Sequence, residues 1–121
     1  EFDFVMKRQL TQDQVYDELK LADIYVDELR CGAHGVTSVE AMAAGCTVIT
    51  FIRDDIRKKY PHDLPIVSAD PNSIYDVLKG LIEQKRLVSD LGKAGMEYAA
   101  KYHCHLRVAR ELVGIYQDLT R

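Results

Sequence analysis

The stretch Cys46-Thr-Val-Ile-Thr-Phe-Ile52 decides the fold of this chain of 121 residues. Its residues are apolar or β-branched on both faces, which is typical of a central parallel strand covered by helices on both sides. The preceding segment, Val36 to Ala44, is predicted to be a helix that ends at Gly45, since glycine readily adopts the left-handed conformation found at helix ends. A strand at Asp23 to Leu29 completes a βαβ unit, which predicts a parallel sheet.

Two shorter strands are predicted on either side of this unit. Phe2 to Met6 has a strand-like sequence, and so does Leu64 to Val67, which Pro65 places near a sheet edge. The fold class is therefore α/β, with a Rossmann-like parallel sheet of about four strands and flanking helices. Four strands are few for a complete doubly wound fold, so we expect residues 1–121 to be one domain cut from a larger protein. Glu1-Phe2 could be a cloning remnant.

Two of the predicted helices have recognisable starts. Thr11-Gln-Asp-Gln14 fits a capping box, and the helix that follows has a buried stripe at Val15, Leu19 and Ala22. Asp70-Pro71 predicts a second start, with aspartate as the cap and proline in the first helical position.

The C-terminal third of the chain predicts two further amphipathic helices. They cover Lys85 to Tyr102 and His105 to Thr120. The apolar stripe of the last helix is assigned to packing rather than to a partner helix, and its members are Val108, Leu112, Ile115 or Tyr116, and Leu119.

Composition excludes several classes of protein. The chain is 47% hydrophobic and 29% charged, which is ordinary for a globular domain and excludes disorder. Its net charge of −3 argues against a general nucleic-acid binder, because such proteins need a basic face. The cysteines, without C-x-x-C spacing, indicate neither a disulfide framework nor a zinc site and favour a cytoplasmic setting. The longest apolar stretch, Ala41 to Ile52, is far shorter than the roughly 20 residues of a membrane span.

The segment most informative about function is Gly32-Ala-His-Gly35. Ligands of open α/β sheets bind beyond the carboxyl ends of the strands, where this segment leads into the Val36 helix. Free backbone N–H groups and the helix dipole favour an anion there, and the glycines allow close approach of a phosphate. Glu40, about one turn into the helix, has the right reach for the vicinal hydroxyls of a ribose. The alternative is a plain turn followed by a solvated glutamate.

The same segment carries a resemblance to a known family. Ala22-Asp23-Ile-Tyr-Val, and then His34-Gly-Val-Thr-Ser-Val-Glu-Ala-Met-Ala-Ala-Gly-Cys-Thr-Val-Ile49, resemble the donor-binding half of retaining glycosyltransferases of the GT-B fold, most closely the large family 4 group. Pro65-Ile-Val-x-x-Asp70-Pro, the Gly92-Lys93 pair and the helical tail from Tyr102 to Tyr116 extend the resemblance over nearly the whole chain. It implies that residues 1–121 are the C-terminal, nucleotide-sugar-binding domain.

The resemblance also implies roles for particular residues. Glu40 matches the second glutamate of the family's Glu-x7-Glu motif, which resembles a ribose clamp, and Gly35 and Val36 match positions whose backbone faces the diphosphate. The first glutamate of that motif is replaced by Gly32. Contacts to the donor sugar are therefore expected from other side chains, and the candidates are Asp27, Glu28 and His34.

Several candidate residues have two interpretations that the sequence leaves open. His34 either contacts a sugar or phosphate or is a packed loop histidine. Arg53 either holds phosphate or pairs with Asp54 or Asp55 at the surface. Lys7 and Arg8 are weaker candidates for the same edge. The group His103, Cys104 and His105 is not expected to bind a metal, because its spacing does not place all three side chains on one side.

The resemblance implies an enzyme that transfers a sugar from a nucleotide donor, with retention, to a saccharide or lipid-linked acceptor. The acceptor would bind an N-terminal domain outside this chain, so the isolated piece is expected to bind nucleotide weakly and to turn over no substrate. No metal or other cofactor is expected, and the full-length protein could associate peripherally with the inner face of the membrane. The alternatives are a non-catalytic nucleotide-binding or protein-interaction module, and a phosphorylase-like or epimerase-like relative.

Overall fold

The computed structural model describes residues 2–121, so Glu1 lies outside the described residues. The chain is mixed α/β. Its helices are α1 Gln12–Leu21, α2 Val36–Ala43, α3 Asp54–Arg57, α4 Ile74–Ile82, α5 Lys85–Tyr102 and α6 His105–Leu119, and its strands are β1 Ile24–Val26 and β2 Thr47–Ile49.

The central parallel strand is confirmed, but the sheet around it is small. β1 pairs with β2 in parallel, with Tyr25 opposite Val48, and all three residues of β2 are buried. Outside the two strands, the structure of residues 2–121 adds single parallel bridges from Ile49 to Val67 and from Gly32 to Ile52. The predicted sheet of about four strands is therefore reduced to two strands and these bridges.

The predictions for the two outer strands are wrong within the described residues. Phe2 to Met6 is irregular, and Phe4 is 74% exposed, so burial does not fix this segment against a neighbour. In Leu64 to Val67, Val67 forms a bridge opposite Ile49: its N–H donates to the carbonyl of Val48, and its carbonyl accepts from the N–H of Thr50. Pro65 has no N–H to continue the ladder, which limits the pairing to a bridge.

The two predicted helix starts have different outcomes. The capping box at Thr11 and Gln14 is present as predicted, with both reciprocal bonds formed. The helix predicted from Pro71 begins instead at Ile74. The Asp70 carboxylate accepts bonds from the N–H groups of Asn72 and Ser73 at 2.9 and 2.8 Å. It thereby stabilises a turn before the helix, as aspartate side chains commonly do.

Helix α5 packs closely against α2 through its glycines. Its small residues Gly92 and Gly95 are buried, and an added Cβ at Gly95 would lie 3.3 Å from the Met42 side chain. Met42 is 1% exposed and belongs to a core between the sheet and α2 with α5. A second cluster around Ile49 and Leu81 covers the other side of the sheet. Helices on both sides of β2 are what its sequence predicts.

The assignment of the α6 stripe to packing is wrong for this chain. Within the described range, α6 has no buried residue. The stripe residues are exposed, with Val108 at 41% and Leu119 at 76%. The periodic spacing correctly predicts an amphipathic helix, but it does not specify that a neighbouring element covers the apolar face.

We expect the substitution Leu119→Ala to change the free energy of unfolding by less than about 0.5 kcal/mol, as exposed substitutions usually do. Urea unfolding of the chain measures this directly. A loss of 2 kcal/mol or more, which is typical of a core leucine at about 2–5 kcal/mol, would show that the stripe is buried in solution.

Candidate functional site

The chain that follows β1 and the chain that follows β2 are joined beyond the carboxyl ends of these strands. The Asp27 N–H, directly after β1, donates to the carbonyl of Ile49 at 2.8 Å, and the Arg53 N–H donates to the carbonyl of Gly32 at 2.9 Å. The glycine turn is thereby anchored to the chain that continues from β2. This places the turn at the sheet edge where ligands of open α/β folds bind.

Gly32 is required by the backbone. Its φ of +89° is a left-handed value, and a Cβ there would lie 2.8 Å from Cγ of Arg53. A side chain at this position would therefore be strained by its backbone and obstructed by a neighbour. A glutamate at position 32 would therefore require the turn and the Arg53 side chain to rearrange.

The N-terminus of α2 is open to solvent. Gly35 is its N-cap and, within residues 2–121, no side chain caps it. Val36, the first helical residue, is 75% exposed. The first N–H groups of a helix have no partner inside the helix, and together with the dipole they favour an anion. The arrangement fits the predicted backbone contacts of Gly35 and Val36.

Asp27 already places a carboxylate close to this helix end. Its Oδ2 accepts a bond from the Ser38 hydroxyl at 2.5 Å, and Ser38 is fully buried in α2. The same Oδ2 would lie 4.0 Å from a Cβ at Gly35. Burial and the neighbouring Asp27 carboxylate raise the pKa of Tyr25 to about 12, so this phenol stays protonated at neutral pH. Asp27 is held in place rather than free in solvent.

Glu40 is half-buried and faces α1. Its Oε1 accepts from the Gln12 amide at 3.1 Å and from the Tyr16 hydroxyl at 3.4 Å. Both donors belong to exposed residues, so the carboxylate lies at the surface between α1 and α2 and not in the core. Such donors can be exchanged for the hydroxyl groups of a ligand without burying an unpaired charge.

His34 is held against aromatic rings. Its imidazole stacks on Tyr60, with ring centroids 4.6 Å apart, and lies edge-on to His103 at 6.2 Å. Its Nδ1 is 3.3 Å from the carbonyl oxygen of Gly35. His34 therefore packs, as one interpretation predicts, and it is half-buried.

Arg53 and Lys7 are both engaged by carboxylates. Arg53 forms two bonds to Asp55, at 3.0 and 2.9 Å, which is the surface pairing that the sequence left open. Arg53 holds the pKa of Asp55 below its usual range. Lys7 pairs with Glu18 on α1. Exposed pairs of this kind contribute little to stability, so Arg53 can be released to another anion at small cost.

Sequence reasoning missed several neighbours of the predicted site residues. Gln12 and Tyr16 are the partners of Glu40, and Tyr60 is the partner of His34. The capping box identified the start of α1, but its spacing does not specify the element that α1 packs against. No sequence signal predicts that Tyr60 lies beside His34, because this contact depends on tertiary structure.

Within residues 2–121, no group of three or more His, Cys, Asp and Glu side chains is placed to hold a metal ion. No helix in the same range is both long and apolar enough to cross a membrane.

Comparison of the chain with models of protein families, with curated proteins and with solved structures finds no match.

Proposed function

We propose that this chain is the donor-binding domain of a glycosyltransferase that takes a nucleotide-diphosphate sugar. One observation carries the proposal. An anchored glycine turn leads into the open N-terminus of α2 at the carboxyl ends of parallel strands. The sequence resemblance supports the same function.

Each part of the site has a separate task in this proposal. The N–H groups at Gly35 and Val36 bind the diphosphate, and Glu40 exchanges its bonds to Gln12 and Tyr16 for bonds to the ribose hydroxyls. Asp27 and His34 flank the turn and contact the sugar. As the anomeric carbon gains positive charge, the helix dipole stabilises the departing phosphate, which is electrostatic catalysis. The acceptor binds outside this chain.

Titration with UDP and GDP, followed by amide NMR shifts, tests the proposal. We expect saturable shifts concentrated on residues Gly32 to Glu40, with weak affinity. The absence of amide shifts with both nucleotides would contradict the proposal. Loss of donor affinity in Asp27→Ala and His34→Ala would support their sugar contacts, and unchanged affinity of both for the sugar nucleotide would refute those contacts.

The substitution Glu40→Gln tests whether the Glu40 carboxylate binds the ribose, with little change in the size of the side chain. A hydrogen bond to a charged group contributes about 1.5–3 kcal/mol, so we expect nucleotide affinity to fall at least about tenfold. The matched control is Glu97→Gln, an exposed glutamate of α5, which should leave affinity unchanged. Equal affinities of the two variants would exclude Glu40 from the site.

A second candidate function is a non-catalytic nucleotide-binding or protein-interaction module. The observation that favours it is Gly32, whose backbone and neighbour Arg53 obstruct the side chain that the resemblance leads one to expect. Nucleotide shifts at the turn, combined with no sugar transfer by the full-length protein, would select this alternative.

A further inference from the structure

Helix α6 presents an apolar face that no element of residues 2–121 buries. The helix has no buried residue, and seven of its large apolar residues are exposed by between 41% and 76%. Near its start it is anchored by Arg107, which bonds to the carbonyl of Lys101 and lies over the Tyr102 ring. Helical stability in proteins comes mostly from packing of the apolar face, because a short helix alone in water is marginal. We therefore expect α6 to pack against a partner.

The apolar face has the pattern and the size of a helix–helix interface. Val108, Leu112, Ile115 and Leu119 are separated by four, three and four residues, which is the heptad spacing of paired helices. The seven exposed residues together offer roughly 700 Å², close to the roughly 800 Å² that each partner contributes to a standard interface. The largest apolar patch of a typical monomer is only about 300–600 Å². A second copy of the face is therefore large enough to cover it.

The charges of α6 favour an antiparallel partner. Arg107 and Arg110 precede Glu111 and Asp118 along the helix, so its charge changes from positive to negative. The first turn has no acidic residue and the last turn has no basic residue. This order is opposite to the one that the helix dipole favours, so the stability of α6 itself does not explain it. In an antiparallel pair, the basic start of each helix lies beside the acidic end of the other.

Arg107 and Asp118 are placed to form ion pairs between two copies. Eleven residues separate them, which is about three turns, so both lie on the same flank of α6. In a two-fold antiparallel pair centred between Leu112 and Val113, this flank meets its own copy in reverse. Each Arg107 is then level with Asp118 of the other copy. Asp118 now pairs with Arg121 at 3.6 Å, and both side chains are mostly exposed, so this pair is exchanged at small cost.

We propose that α6 pairs with the α6 of a second copy of this chain in a two-fold, antiparallel dimer. The rest of each chain then lies at opposite ends of the pair, since each α6 is anchored near its start. We expect a dissociation constant of about 10–100 μM, because an interface at the lower end of the standard size is typical of weak complexes. The dimer goes beyond the proposed function and does not rest on it, because α6 contributes no residue to the glycine turn.

Sedimentation velocity of the whole chain, from about 1 μM to about 1 mM, tests the dimer. We expect a reversible shift from the monomer of 13.8 kDa to twice that mass as the concentration rises. The small effect of Leu119→Ala on unfolding, expected above, applies to concentrations below the dissociation constant, at which the monomer unfolds. A chain that stays monomeric up to about 1 mM would overturn the proposal.

The substitution Leu112→Glu should weaken the dimer at least about tenfold, because it places two unpaired carboxylates at the two-fold axis. Leu21→Glu is the matched control, since this leucine of α1 is 81% exposed, and it should dimerise as the unmodified chain does. Leu119→Glu replaces the test variant if Leu112→Glu does not fold. Equal dimerisation of a folded test variant and the control would refute pairing through α6.

Charge reversal tests the antiparallel orientation. Arg107→Glu and Asp118→Arg should each weaken the dimer about threefold or more, since each change removes two exposed ion pairs and places like charges together. The double variant restores both pairs and should regain most of the affinity. A double variant that is weaker than both single variants would contradict the antiparallel arrangement.

Two other occupants of the face are distinguished by the same material. A monomer that co-sediments with vesicles of phosphatidylcholine and phosphatidylglycerol would overturn the proposal and assign the face to a membrane surface. A dimer of this chain that is absent from the full-length protein would also overturn it and assign the face to a further domain.

Discussion

Replacing Gly92 by alanine is expected to destabilise the chain by about 3 kcal/mol or more, the upper end of the cost of overpacking. The reason is a backbone contact. A Cβ at Gly92 would lie 2.3 Å from the carbonyl oxygen of Gly45, and Gly45 itself has a φ of +93°. The obstruction is main chain and cannot rotate away, so α5 would have to move off α2. Urea unfolding at constant pH gives the free energy.

Two other helical glycines are the controls for this prediction. Among the described residues, nothing lies within 4 Å of a Cβ added at Gly80 or Gly114. Alanine there should stabilise the chain by about 0.5–1 kcal/mol, since glycine is unfavourable inside helices. If Gly92→Ala were as stable as these controls, Gly92 would not lie against the carbonyl oxygen of Gly45 as described.

The substitution Met42→Ala should cost about 2–5 kcal/mol, the range for large-to-small changes in a core. Met42 is 1% exposed and packs against Gly95 of α5. Because glycine has no side chain that could move into the space, the cavity is expected to remain. Thermal and urea unfolding together provide the measurement.

Met96 provides the matched comparison for Met42, because it is 50% exposed. We expect Met96→Ala to cost less than about 1 kcal/mol, as partly exposed positions do. Similar costs for the two methionines would contradict the described core.

The predictions that succeed depend on local patterns. The capping box at Thr11 and Gln14 satisfies its own backbone groups, so four residues suffice to identify it. The strand around Val48 has apolar residues on both faces, so its sequence predicts that other elements cover both faces. It does not specify which elements these are. The bounds of α5 agree with the spacing of its apolar residues and with the polar junction that follows it.

The predictions that fail depend on contacts distant in sequence. Phe2 to Met6 is a strand only if another strand pairs with it, and its own residues do not specify that partner. The partners of Glu40 and the contact between His34 and His103 arise from tertiary packing. The shift in the start of α4 has a local cause, because Asp70 stabilises a turn as effectively as a helix cap.

The carboxylate that Asp27 places near the first turn of α2 acts as an internal counter-ion. For an incoming phosphate, the negative charge of Asp27 therefore partly offsets the positive potential at the start of α2. The attraction of the helix end for an anion is reduced by repulsion from Asp27, and this repulsion increases with the negative charge of the ligand. Under the proposed function, the chain would then discriminate among anionic ligands by repulsion as well as by attraction.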